Sequence, residues 1–349
     1  MADIKSLARR GFLSGALVTA GAAVGWAFRK TQNPRRPARQ NQSLDKSIFE
    51  YDVSEYMQTD PDLHIYEAKT EFSVDFERVK SVLMTQDGAL VIAGDRSIKG
   101  VVQDGTTQFE LPLSRPPHCM AISEEGLLWV GLGRFCEVYD LKTLEKKFKT
   151  EQFGEKSYIT SMQAYEERVY VADAGLREMV VLKAGTGEEL FRFGKKTKTN
   201  PGFNVPSPYF DFVIGRDLKL HISNPGLLRV ETYTMDGEFE SSWGKPGMTA
   251  DAFCGCCNPV YLTQLPDGDF VTSEKGLARL HVYSEQGEFK GVVADPNHMI
   301  QDEALAKKAC GDCTKGHGFD LTSDSAGNVF VLDPIKKSIR VFAPSNKLT

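Results

Sequence analysis

Five of the seven cysteines in this chain fall in two short runs, Cys254-Gly255-Cys256-Cys257 and Cys310-Gly311-Asp312-Cys313. Thiols at this density serve as metal ligands, as disulfide partners or as a redox dithiol, and each role needs its own geometry. Four of them, Cys256, Cys257, Cys310 and Cys313, would complete a tetrahedral zinc site or hold an iron–sulfur cubane. Cys254 is a fifth candidate ligand, and His317, four residues beyond Cys313, is a reserve one. Cys310-x-x-Cys313 has ordinary ligand spacing. The adjacent pair Cys256-Cys257 does not, because neighbouring side chains of an extended chain point apart; Gly255 and the turn at Asn258-Pro259 would relieve that constraint.

The competing chemistries need no cofactor. Bridges between the two runs would staple the loops together in an oxidising compartment, although pure bridging leaves one of seven thiols over. Cys310-Gly-Asp-Cys313 would make a reactive dithiol, but no strand–helix–strand pattern of the thioredoxin kind surrounds it. Haem attachment requires His directly after the second cysteine, and Thr314 stands there. Cys119 and Cys136, outside both runs, read as buried thiols on strands.

The elements that must position these residues are short strands. Apolar runs recur after turn pairs such as Asp87-Gly88, Glu125-Gly126 and Asp267-Gly268: Ala89–Gly94, Leu127–Gly131, Arg168–Asp173, Leu218–Ser223, Asp269–Glu274 and Asn328–Asp333. A following strand recurs too, as in Arg229–Tyr233, Arg279–Tyr283 and Ile339–Phe342. Six such units fit repeated four-stranded blades better than a sandwich or barrel. The last unit lacks its outer strand, which Leu63–Phe72 would supply to close the ring. The expected fold is all-β, a six-bladed β-propeller over residues 63–345, with 1–40 as a leader and basic stretch and 41–62 as a linker.

The repeat resembles the NHL family. Its marks are a Gly and a Phe ahead of a Pro at blade entry, as in Gly194…Phe203-Asn-Val-Pro206 and Trp243-Gly244…Phe253…Asn258-Pro259, and an acidic end to the second strand. Blade two departs from the pattern with Leu132-Gly133, and blade four carries Asn224. The resemblance implies a propeller that recognises partners through its faces; a fold of this kind hosts many functions.

In a propeller the loops from each outer strand to the next inner strand open on one face, around the channel mouth. Three are long here: 195–208, 245–259 and 295–318. The second carries Cys254, Cys256 and Cys257 and the third Cys310 and Cys313, so the two runs should meet beside neighbouring blades. Residues 299–310 read as a short helix delivering Cys310 to the site.

Other candidates are weaker. Asp95, Asp173, Asn224, Glu274 and Asp333 end second strands, where such residues hold strand-to-strand turns. Six-bladed lactonases resemble this pattern in binding a divalent ion with Glu, Asn and Asp, which implies a hydrolase or lyase if at least two of Asn224, Glu274 and Asp333 converge. His221 and His281 lie within strands; His64, His118 and His298 have no partner legible in sequence. Lys195, Lys196 and Lys198 form a basic loop cluster, and Trp129 and Trp243 fit blade packing.

The first forty residues set the compartment. Arg9-Arg10-Gly-Phe-Leu precedes an uncharged, Ala- and Gly-rich stretch from Gly11 to Phe28, followed by a basic segment. This resembles a twin-arginine export signal, which implies delivery, folded and with any cofactor inserted, to the periplasm or the outer face of the cytoplasmic membrane. Eighteen uncharged residues also suffice for an N-terminal membrane anchor, and Ala20-Gly21-Ala22 is the cleavage candidate. The leader holds eight Lys or Arg and one Asp, which leaves 34 basic and 46 acidic residues beyond it. An acidic body disfavours nucleic acid and anionic lipid as partners.

Three functions are open at this point. The first is an exported propeller with a cysteine-ligated metal or iron–sulfur site on its upper face, for electron transfer or partner binding. The second is a cofactor-free, disulfide-stapled module that recognises a protein or small-molecule ligand. The third is a metal-dependent lactonase or lyase at the channel mouth.

Overall fold

Leu90–Gly94 is apolar throughout, with no polar face, and the packing shows why. Leu90 and Ile92 enter one cluster with Phe330, Leu332 and Val341, while Val91 and Ala93 enter another with Leu128, Val130 and Phe135. Both faces of the strand are covered by neighbouring sheets, so the usual apolar/polar alternation disappears. Each fully buried Leu or Ile contributes roughly 1.5–3 kcal/mol.

The computed structural model describes residues 54–198, 200–300, 302 and 316–345. Cys310, Cys313, the leader and most of the expected helix at 299–310 therefore lie outside the described residues. The described chain forms six four-stranded antiparallel sheets arranged as a β-propeller. Five blades are consecutive in sequence; the sixth is composite, in the order β1 (Tyr66–Ser73), β24 (Ser338–Pro344), β23 (Val329–Asp333), β22 (Asp320–Ser323). Tyr66 lies opposite Pro344 and Ser73 opposite Ser338, with one bulge between Ala68 and Thr70. The ring thus closes as the missing outer strand required. Residues 54–62, offered by sequence as linker, pack against blade five: Met57 is buried, and its carbonyl accepts from Asn297 N at 3.1 Å.

The innermost strands are β2 (Val79–Met84), β6 (Cys119–Ile122), β10 (Ile159–Tyr165), β14 (Phe212–Ile214), β18 (Tyr261–Gln264) and β22. Side chains stitch them across blades. Asp211 accepts from Leu262 N and Asp320 from Val82 N, both at 2.9 Å, and Gln163 Oε1 accepts from Ile214 N at 2.8 Å. These strands surround a channel of about 720 Å³. Burial, followed by the neighbouring Asp320 charge, pushes Asp211 up to about 7; burial alone pushes Asp320 up to about 6.

The Gly–Phe mark of the repeat has a steric cause. A Cβ at Gly194 would lie 1.9 Å from the Phe203 ring, and one at Gly244 would lie 2.6 Å from that of Phe253. Each loop lays its aromatic ring on a backbone bare of side chain, at φ of +83° and +105°. Cys119 and Cys136 are buried in the core between blades two and three, where Cys136 Sγ lies 3.4 Å from Met162 Sδ. Burial raises both thiol pKa values, so neither is a reactive thiolate.

A candidate thiol centre on the upper face

The loop carrying the first cysteine run joins β17 (Phe239–Trp243) to β18 and is organised from below by one buried ion pair. Glu274 ends β19 (Phe270–Glu274) and Arg279 begins β20 (Arg279–Tyr283), with side chains 0% and 3% exposed. Arg279 donates to Glu274 from Nε at 3.1 Å and from Nη2 at 3.0 Å. Its guanidinium also donates to the carbonyls of Met248 and Ala252, both at 2.8 Å. Burial opposes the Arg279 charge, but the Glu274 carboxylate outweighs it and raises the pKa. The same carboxylate accepts from Cys254 N at 2.7 Å. Two buried side chains thus satisfy the loop's orphan backbone groups and set where the cysteines begin.

Asn258 fastens the far end of the run. Its amide donates to Cys254 O at 2.7 Å and to Lys275 O at 3.0 Å, while its oxygen accepts from Lys275 N at 2.9 Å. Between these anchors the chain turns at Gly255, whose φ of +74° suits a residue without a side chain. Cys254 joins the apolar core beside Leu277 and Leu280; Cys256 is exposed and Cys257 buried. The Cys256 and Cys257 sulfurs lie 3.7 Å apart. The corner at Gly255 therefore brings together two adjacent side chains that an extended chain would separate.

Of the residues expected to form the site, the structure pairs Cys256 with Cys257. Cys254 does not converge with them, since the only described His, Cys, Asp and Glu triad with ligand atoms mutually within 4.8 Å lies elsewhere. Among the described residues no cysteine is joined in a disulfide; the expected bridges to Cys310 or Cys313 involve residues outside the described set. His317 lines the upper channel mouth, a cavity of about 310 Å³, together with Lys80, His118, Tyr158 and Tyr209. The mouth and the cysteine loop are contiguous through Lys275, whose ammonium sits 4.9 Å from the Tyr209 ring centroid while its backbone is held by Asn258. His118 and Tyr158 stack with ring centroids 4.5 Å apart. Burial, then the Lys80 charge, lowers the His118 pKa.

The strand-end acids are separate turn fasteners, which removes the lactonase-type ligand set. Asp95 accepts from Glu77 N and Arg78 N at 2.7 and 2.9 Å, and Asp173 from Tyr158 N and Leu176 N, both at 2.9 Å. Asn224 accepts from Asn204 N at 2.9 Å, and Asp333 from Ile335 N at 2.8 Å. Asn224, Glu274 and Asp333 each work within their own blade entry or turn and do not converge. His221 and His281 are buried, and Lys195 lies 3.5 Å from Glu178.

Sequence reasoning missed Arg279 and Lys275. A signal existed: Asn224-Pro-Gly-Leu-Leu-Arg229 and Glu274-Lys-Gly-Leu-Ala-Arg279 share their spacing, and in both the arginine pairs with a buried glutamate. Most of the expected helix at 299–310 lies outside the described residues, and a short helix is described just before it. α1 spans Pro296–Met299, capped by Asp295, and ends at the extended Ile300.

No family model matches the chain, and no curated protein matches it. Solved structures do, through the fold. Virginiamycin B lyase from Staphylococcus aureus superposes with a TM-score of 0.55 at 14% identity, covering 80% of this chain and all of that one. A streptogramin B lyase structure gives 0.52 at 11% identity, covering 80% and 98%. A protein of unknown function from Bacteroides thetaiotaomicron gives 0.55 at 14%, covering 80% and 73%. The shared feature is the six-bladed propeller.

Proposed function

We propose that this chain is an exported, NHL-type propeller whose upper face holds a zinc ion on Cys256 and Cys257, completed by Cys310 and Cys313, and so presents a stiffened binding surface beside the channel mouth. The observation that carries this is the 3.7 Å separation of the Cys256 and Cys257 sulfurs. Two thiolates about 2.3 Å from one tetrahedral ion lie about 3.8 Å apart. In a cubane each iron takes a single cysteine, so an adjacent pair at this distance suits one ion better. Zinc is redox-inert, which favours partner or small-molecule binding over electron transfer. The metal would tie the loops entering blades five and six into one platform, while the protein's own part is the Glu274–Arg279 brace that aims the thiols. The paired arginines Arg9 and Arg10 support periplasmic delivery, and their double replacement by Lys should leave the chain in the cytoplasm.

Metal analysis of protein matured through its own export route tests the reading. One thiolate-bound zinc per chain is expected, lost in Cys256→Ser and Cys257→Ser. A metal-free protein with Cys256 or Cys257 bridged to Cys310 or Cys313 would replace it with the stapled-module alternative.

A second reading, lyase chemistry at the mouth, is favoured by His118. Its Nδ1 is buried without a hydrogen-bond partner, and its lowered pKa keeps the imidazole neutral, as a general base requires. Loss of lactone or streptogramin B turnover in His118→Ala would support it, and unchanged turnover would rule it out.

A further inference from the structure

A second cluster of ligand-type side chains lies at the outer rim, away from the cysteines. His64 lies two residues before the first residue of β1, while Asp295 and His298 open the connection that follows β21 (Phe289–Ala294). The segment before β1 runs along the edge of β21: His64 forms a parallel bridge with Val292, and Ile65 N donates to Val292 O at 3.1 Å. That pairing covers the exposed edge of blade five and brings His64 over the start of α1.

Asp295 is 1% exposed, and both imidazoles face it. His298 Nδ1 lies 2.6 Å from Oδ1 and His64 Nε2 lies 3.5 Å from Oδ2. The two rings stand 5.1 Å apart at 48°, and one ligand atom from each residue falls within 4.8 Å of the others. Helix capping accounts for part of this, because Asp295 accepts from His298 N at 3.0 Å and from Thr59 N at 3.0 Å. A cap does not need a second imidazole from the other end of the described chain.

We propose that His64, Asp295 and His298 form a binding site for a borderline divalent transition-metal ion, zinc foremost, which clasps the segment leading into β1 to the connection after blade five. Two imidazole nitrogens and one carboxylate suit zinc, cobalt or nickel, and disfavour calcium and magnesium, which take oxygen ligands. The His298 side chain is 52% exposed, which leaves a path for the ion and room for water as the fourth ligand. Loading requires both histidines neutral, so the ion displaces any proton shared between His298 and Asp295. The site contains no thiol, so it stands or falls apart from the cysteine centre.

The test uses the reduced, chelator-stripped full chain, titrated with Co²⁺ by absorbance and with Zn²⁺ by calorimetry. Cobalt on thiolates gives intense charge-transfer absorption, and cobalt on histidine and carboxylate does not. The wild-type chain should show a non-thiolate cobalt site and a matching zinc event. His64→Ala and Asp295→Asn should weaken that event by at least about 100-fold, since even outer-shell losses cost 10–100-fold. The thiolate band should be untouched. Asn preserves the helix cap, so Asp295→Asn carries the test if His64→Ala unfolds. Equal binding by folded Asp295→Asn, or cobalt spectra with thiolate absorption alone, would overturn the proposal.

Discussion

Glu274 shows how much a single carboxylate can organise. It neutralises a buried guanidinium and anchors the amide at which the cysteine run begins. Glu274→Gln should therefore cost about 3–5 kcal/mol in chemical denaturation, because it leaves Arg279 buried without its counter-charge. The same variant should lose thiolate-bound metal, which an unrelated destabilising change of equal size should not cause. Asp211 acts differently. Its pKa rises on folding to about 7, so the folded state binds the extra proton and stability is fullest below the ordinary carboxylate range. That contribution falls as pH climbs through about 7. Asp211→Asn should flatten the decline between pH 4 and 8 by on the order of 4 kcal/mol, followed as the denaturation midpoint against pH. At this scale the sequence disclosed identities but few partners. Cys256-Cys257 was visible, and so was the doubt about adjacent thiols that Gly255 resolves. Arg279 faces Glu274 across the β19–β20 hairpin, a local pairing with a signal in the sequence, whereas the Asp295 pair with His64 joins residues that only the fold brings together.

At the scale of elements, loops are set by where glycine lets an aromatic ring lie on the backbone. Gly244→Ala places a methyl against Phe253 and forces φ of +105° on a side-chain residue, and should cost about 2–4 kcal/mol. Gly126→Ala shares a positive φ of +77° but meets nothing within 4 Å, and should cost only about 1 kcal/mol. Thermal unfolding of the two variants separates steric from conformational cost. Strands were the most legible elements, since the turn pairs bracketed apolar runs of the right length. The short helix at Pro296–Met299 went unread, although its start signal stands in the sequence. Asp295-Pro296 is an N-cap followed by proline at the first helical position, and extended backbone at Ile300 ends the turn.

For the molecule as a whole, blade count and ring closure were readable because an incomplete last repeat and an extra strand before the first one need each other. Removal of residues 66–73 should expose the edge of β24 and lower stability by roughly 3–5 kcal/mol, a fall in Tm of about 10 °C, with aggregation as a second readout. The closure also bears on when the protein can fold. β1 is among the first propeller strands to leave the ribosome, and β24, opposite it, is among the last. During nearly all of translation the first strand waits without a partner, and five blades stand as an open arc. Completion is a late, long-range event, slow by the usual relation between sequence separation and folding rate. The ring closes only once β24 has emerged, so the open edge of the arc must be sheltered until then.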